Sequence, residues 1–149
     1  MALYFEDLAV GMRFETPGRT ITEADLVNFA GVSGDYNPLH TDEEFARTTL
    51  FGRRVAHGTL VLSLTAGLRQ RTGVFADTLL ALLEIRSWRF LKPVFIGDTV
   101  HVATTIEEFR ETSHSDRGIV AQRIDVVNQR GETVQRGELV SLIRRRARP

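Results

Sequence analysis

The sequence contains no cysteine among its 149 residues. Such a chain forms no disulfide, has no thiolate nucleophile and cannot bind zinc through sulfur. Nineteen basic residues balance nineteen acidic ones, so the chain lacks the basic field that attracts nucleic acid. Apolar runs stay shorter than the roughly 20 residues that span a bilayer, and residues 1–10 lack the basic start of a signal peptide. We therefore expect a cytoplasmic protein that binds neither nucleic acid nor membrane.

Neither repeats nor low-complexity segments nor long linkers divide the sequence. A length of 149 residues suits one domain, so we expect a single domain over residues 1–149. The one dense charge cluster lies at the end, in residues 144–148. A cluster of this kind is typically a solvated tail, and we expect residues 144–149 to be frayed. Contact with a phosphorylated ligand is the alternative.

The first half of the sequence carries helix signals. Thr22 is a good N-cap with Asp25 three residues further on, so a helix should begin there. Gly31 and Gly34 bracket the end of this helix, and residues 33–40 are predicted to form a loop. A second, short helix is predicted to begin at Thr41.

The second half reads as one buried helix followed by strands. Residues 57–68 are apolar on nearly every side, which predicts a helix that other elements surround completely. Four stretches then have strand character: 79–90, 99–109, 118–128 and 133–144. Their links are mostly too short for crossover helices, which favours an antiparallel sheet. The fold class expected from the residues is α+β, with the sheet curled around the helix.

The chemically informative stretch places an acid, an amide and an imidazole within six residues: Asp35, Asn37 and His40. Gly34 and Pro38 stiffen the backbone around them. His40 precedes the predicted second helix, whose positive end would favour the neutral ring that a general base requires. The alternative is ordinary turn chemistry, in which the acid and amide only cap turns.

Residues 29–40, and above all Ser-Gly-Asp-Tyr-Asn-Pro-Leu-His, resemble the signature of the MaoC-like, (R)-specific enoyl-CoA hydratases, also called hydratase 2. The similarity continues at residues 45–46 and 56–58 and resumes at residues 89–99. It implies the hot-dog fold, a curled antiparallel sheet around one long helix. It also implies a homodimer or larger homo-oligomer with the active site near the interface.

The resemblance implies a role for each matching residue. Asp35 and His40 correspond to the catalytic pair that holds one water, and Asn37 to a supporting position that orients the loop or the water. Gly58 corresponds to the glycine whose backbone N–H binds the thioester carbonyl. The implied reaction adds water to the C2–C3 bond of a 2-enoyl-CoA, or removes it from a 3-hydroxyacyl-CoA. The CoA thioester belongs to the substrate, and no separate cofactor or metal is expected.

Three alternatives stay open beside this interpretation. A metal site at Asp35, His40 and His57 is disfavoured because no zinc motif is present and the sequence spacing is loose. A thioesterase is disfavoured because residues 57–71 contain no carboxylate. A non-catalytic acyl-CoA-binding subunit is disfavoured because both members of the pair are present. Acyl-chain preference is not fixed, and Trp88 and Phe90 are expected to be core or interface aromatics.

Overall fold

The computed structural model describes residues 2–147. A short 3-10 turn, η1 (Phe5–Asp7), precedes two short strands, β1 (Arg13–Glu15) and β2 (Arg19–Thr20). Four helices follow: α1 (Glu23–Ser33), α2 (Pro38–Thr41), α3 (Glu43–Arg47) and α4 (Gly58–Gln70). The chain then forms four long strands: β3 (Leu79–Phe90), β4 (Thr99–Glu111), β5 (Arg117–Asn128) and β6 (Thr133–Arg144).

The strands form one antiparallel sheet in the order β1-β4-β5-β6-β3, and β2 also pairs with β4. The predicted strand bounds are confirmed to within about two residues. The pairing of β3 with β6 is irregular near Ser87, whose φ of 49° accompanies a register shift between Arg86 and Arg89. β3 lies at the edge of the sheet, where β6 is its partner.

Helix α4 packs against one face of the sheet, as the hot-dog resemblance implies. Leu60, Val61 and Leu68 are buried in one cluster with apolar residues of β4, β5 and β6, among them Val102 and Ile124. The prediction that this helix is surrounded completely is wrong for the single chain. Its opposite side is exposed at Thr59, Ser63, Ala66, Gly67 and Gln70.

The first half contains one confirmed helix and one correction. Thr22 caps α1 in a capping box with Asp25, and Gly34 ends the helix with a φ of 75°. The region predicted as a loop contains α2, and the next helix is capped by Asp42, which accepts the N–H of Phe45 at 3.0 Å. A carboxylate is a stronger acceptor than a hydroxyl, so Asp42 replaces the predicted cap.

None of the helices between residues 2 and 147 has the length and apolar character that crossing a lipid bilayer requires.

The basic tail is ordered further than expected. Arg144 ends β6, Arg145 forms an ion pair with Glu6, and Arg146 forms one with Asp7, at 2.9 and 2.7 Å. The prediction of a frayed tail is therefore wrong for residues 144–146, because η1 offers two carboxylates beside it. Residues 148 and 149 lie outside the described residues.

Candidate functional site

The structure brings Asp35 and His40 together on opposite sides of a short turn. Asp35 follows the glycine cap of α1, and His40 lies in the last turn of α2. The Oδ2 atom of Asp35 is 4.0 Å from the Nε2 atom of His40. The argument that His40 lies at the positive end of a helix is wrong, because Asn37 and Pro38 begin a helix that already includes it.

A backbone carbonyl fixes the tautomer of His40. The Nδ1 atom lies 2.6 Å from the carbonyl oxygen of Val55, which can only accept a hydrogen bond. Nδ1 therefore carries the proton, and in the neutral ring Nε2 has a free lone pair that faces Asp35. The His40 side chain is 11% exposed and that of Asp35 is 48% exposed, so the pair lies at the boundary between interior and solvent.

The His57 side chain is hydrogen-bonded to the backbone of this turn. Its Nε2–H donates to the carbonyl oxygen of Asp35 at 3.0 Å, and its ring stacks on His40 with centroids 3.8 Å apart. The ring is 1% exposed, and burial lowers the pKa of His57 below its ordinary value. These contacts favour a structural role for His57 over acid–base chemistry.

Asn37 acts on the backbone of the turn. Its Oδ1 atom accepts the N–H of Leu39 at 2.9 Å, which makes it the N-cap of α2. The N–H of Asn37 in turn donates to Oδ1 of Asp35 at 3.2 Å. The side chain is exposed and does not line the cavity described below, so its contacts suit orienting the loop, one of the two supporting roles predicted.

Gly58 begins α4 directly after His57. As the first helical residue, its N–H has no acceptor four residues earlier within the helix, and it lies at the positive end of the helix dipole. A Cβ at this position would lie 2.7 Å from ring atoms of Phe90. Only glycine therefore fits here while the Phe90 ring keeps its place.

The carbonyl group of Gly58 is held by a buried side chain from the sheet. Nε2 of Gln135, on β6, donates to the Gly58 oxygen at 2.9 Å. Oε1 of the same amide accepts the indole N–H of Trp88 at 3.0 Å. Gln135 is 2% exposed.

These groups surround an open cavity of about 480 Å³. Its lining is mostly apolar and includes Leu39, Phe51, Val61, Phe90, Leu91, Pro93 and Val94. The polar groups that reach it include Asp35, His40, His57, Gly58 and Gln135. An apolar cavity with a few converging polar groups is the usual form of a small-molecule site.

The same histidines do not suit a metal ion. Asp35, His40 and His57 offer ligand atoms within 4.8 Å of one another, closer than the sequence spacing suggested. However, the two imidazole rings stack with centroids 3.8 Å apart and planes inclined by only 26°, so lone pairs that lie in these planes do not meet close to the rings. Zinc requires nitrogen lone pairs that meet at one point about 2.0–2.1 Å away. The orientation of the rings therefore argues against a zinc site.

Three residues that help to form this site were not predicted as site residues from the sequence. Val55 acts through its carbonyl group, which no side-chain pattern reveals. The pattern of β6 could have indicated Gln135, because it is a polar residue at the same alternating positions as Gly137 and Leu139, which are buried. Phe90, expected in the core or an interface, also lines the cavity.

The pH dependence of stability should report the burial of His57. Because the folded-state pKa is lowered, the unfolded state binds more protons once the pH falls below about 6.5, and stability is lost there. His57→Gln keeps an N–H near the Asp35 carbonyl but does not titrate. Urea unfolding between about pH 7.5 and pH 5 should show the stability advantage of the wild type shrinking as the pH falls. Parallel profiles for the two proteins would contradict this.

Comparison with known proteins identifies relatives along most of the chain. Residues 6–128 match the family model described as MaoC like domain. Protein MaoC of Klebsiella aerogenes is 43% identical over 102 residues, which cover 68% of this chain and 30% of that protein. The (R)-specific enoyl-CoA hydratase of Aeromonas caviae is 34% identical over 137 residues, which cover 91% of this chain and 95% of that protein.

Solved structures agree with the fold described above. The MaoC-like dehydratase from Rhodospirillum rubrum matches with a TM-score of 0.80 at 35% identity, covering 99% of this chain and 100% of that one. A Mycobacterium tuberculosis protein with a double hot-dog fold matches with a TM-score of 0.85 at 20% identity, covering 99% of this chain and 46% of that one. The chain belongs to the MaoC-like dehydratase family, and its curled antiparallel sheet with the helix α4 is a hot-dog fold.

Proposed function

We propose that this protein hydrates the C2–C3 double bond of 2-enoyl-CoA thioesters, or dehydrates the corresponding 3-hydroxyacyl-CoA. One observation carries the proposal: Asp35 Oδ2 and His40 Nε2 face each other 4.0 Å apart beside an apolar cavity. With the His40 ring neutral, both atoms are acceptors, and a water molecule between them can donate one O–H bond to each.

The geometry suits one water molecule that donates to both groups. An oxygen about 2.8 Å from each acceptor fits between them, with an angle of about 90° at the water. One member of the pair would take a proton as the hydroxide adds to C3, and a proton would be delivered to C2. Because both groups would hold the same water molecule, the two roles are assigned to the pair.

Gly58 would stabilise the charge that this addition creates. Addition at C3 moves electron density onto the thioester oxygen, and the free N–H at the start of α4 can donate to it. One such donor typically lowers the barrier by about 3 kcal/mol. Phe90 packs so closely on Gly58 that a side chain at position 58 would push the ring away.

The names of relatives support the substrate class and the stereochemistry. The Aeromonas caviae protein is named an (R)-specific enoyl-CoA hydratase, and it is matched over 95% of its length. We extend (R)-specificity to this chain as part of the proposal, together with the cytoplasmic location expected from the sequence. The thioester is the substrate itself, and the proposed steps use no separate cofactor.

The activity should depend on both members of the pair. Asp35→Asn keeps an oxygen for the Asn37 N–H, and His40→Asn keeps an N–H for the Val55 carbonyl, so both variants should fold. We expect each to lower kcat by about 10²- to 10⁴-fold, because each removes an acceptor for the reacting water. Crotonyl-CoA is the test substrate, with enone absorbance and free thiol followed together.

The same assay distinguishes the alternatives. Loss of the enone without thiol release supports hydration, whereas thiol release with an intact double bond identifies a thioesterase. That alternative is weaker because α4 contains no acidic residue. Equal turnover by the wild type and both variants would end the proposed mechanism. Binding of crotonyl-CoA without turnover by the wild type would identify an acyl-CoA-binding subunit.

We further propose that β3 pairs with a second copy of this chain to form a homodimer, alone or within a larger oligomer. Both faces of this edge strand expose large apolar side chains: Leu79, Leu80, Leu82, Leu83 and Ile85. An open edge of this length and character favours pairing with another strand. Phe90 ends β3 and lines the cavity, so the second copy would lie close to the site.

A charge on β3 should separate the copies. Leu82 is 53% exposed, and Leu82→Glu should shift the protein from dimer to monomer in sedimentation equilibrium. Val10 is 65% exposed and lies beside β1, at the opposite edge of the sheet, so Val10→Glu serves as the matched control. A monomeric wild type, or equal dissociation of both variants, would contradict the proposed interface.

A further inference from the structure

Gln135 is a buried polar side chain that the proposed chemistry does not use. It reaches from the start of β6, next to the edge strand β3, to the first turn of α4, where its Nε2 atom donates to the carbonyl oxygen of Gly58 at 2.9 Å. Gln135 is only 2% exposed, so loss of this hydrogen bond would leave its buried amide N–H without a partner.

The neighbours of the amide leave it one orientation. The indole N–H of Trp88 can only donate, so the atom facing it at 3.0 Å must be the oxygen of Gln135. The carbonyl group of Gly58 can only accept, so the atom facing it must be the nitrogen. Trp88, Gln135 and Gly58 therefore form a directed chain of two hydrogen bonds.

The backbone of β3 is irregular next to Trp88, where the indole meets Gln135. The backbone at Ser87 has a φ of 49°, a left-handed conformation that is uncommon outside glycine. The strand pairing shifts between Arg86 and Arg89, on either side of it. Opposite the indole, Gly137 leaves the space that the ring occupies, since a Cβ there would lie 2.4 Å from Trp88. Strain of this kind persists where the surroundings hold it in place.

We propose that Gln135, oriented by Trp88, is a positioning residue that sets where the Gly58 N–H points relative to Asp35 and His40. The inference rests on the proposed function. His57 already holds the Asp35 carbonyl at 3.0 Å, and Gly58 is the next residue. One hydrogen bond joins His57 to the turn that carries Asp35, and another joins Gly58 to Gln135. Because His57 and Gly58 are consecutive, the position of the Gly58 N–H is linked to the position of that turn. Small displacements of such groups cost large factors in rate.

The first test removes the amide while keeping a side chain of similar size. Gln135→Leu should lower kcat by roughly 10- to 100-fold with KM changed by no more than about twofold, because the donor is displaced while the apolar cavity persists. Trp88→Phe, which removes the indole N–H, should move kcat in the same direction. Gln122 is the matched control: it is also fully buried, but it bonds Arg69 near the far end of α4. Gln122→Leu should leave kcat unchanged.

A pH profile separates positioning from simple loss of packing. In Gln135→Glu, a protonated carboxyl can accept from Trp88 and donate to Gly58, whereas a carboxylate places a lone pair against the Gly58 oxygen. The ratio of kcat for this variant to kcat for the wild type should therefore rise as the pH falls. A ratio that does not change with pH would overturn the proposed hydrogen-bond role.

A spectroscopic readout keeps the inference testable apart from turnover. The chain has one tryptophan, so its indole N–H gives one resonance, and the Gly58 amide can be assigned by combined labelling of glycine nitrogen and histidine carbonyl carbon, since His-Gly occurs once in the sequence. Both resonances should shift in Gln135→Leu and stay in place in Gln122→Leu. An unshifted Gly58 amide in Gln135→Leu would overturn the inference. A wild type that hydrates no enoyl-CoA but shows these shifts would refute the proposed function and leave the positioning supported.

Discussion

The hydrogen bond between the His57 ring and the Asp35 carbonyl connects the two parts of the chain on which the site depends. Asp35 belongs to the turn after α1, and His57 directly precedes α4, which packs on the sheet. Burial lowers the pKa of His57, which favours the neutral imidazole, and the donated N–H restricts the backbone from which the Asp35 carboxylate extends. Val55 adds two further hydrogen bonds between these parts, one from His40 to its carbonyl and one from its own N–H to the Leu39 carbonyl.

This arrangement explains how a polar pair can act beside an apolar cavity. His40 is fixed by a carbonyl behind it and by the His57 ring against its face, so its free nitrogen points toward Asp35. Both contacts use backbone or neutral groups, which orient the pair without adding charge. The apolar walls can then hold an acyl chain while the polar atoms meet the reacting carbons. The start of α4 supplies an N–H on the same side, and the buried amide of Gln135 ties that helix turn to β6.

The sequence predicted the elements whose signals are local. β4 and β5 lie within two residues of their predicted bounds because apolar and polar residues alternate along them, and α1 follows from its capping box. The second short helix was placed wrongly because neighbouring residues compete to cap it. Helix α4 looked uniformly apolar, but one chain covers only one side of it. His57, the Val55 carbonyl and Gln135 act through contacts between residues that are distant in sequence, and a local pattern does not reveal the partner in such a contact. Gln135, for example, meets Gly58 from 77 positions away.

The central claim is that Asp35 and His40 act on the same water molecule, and a double-mutant cycle tests it most directly. When two residues act as one unit, removing the second costs little once the first is gone. The kcat of the combined Asp35→Asn, His40→Asn variant should therefore lie within a few-fold of the slower single variant. If the two losses multiply instead, the residues act independently, and the shared water molecule is contradicted.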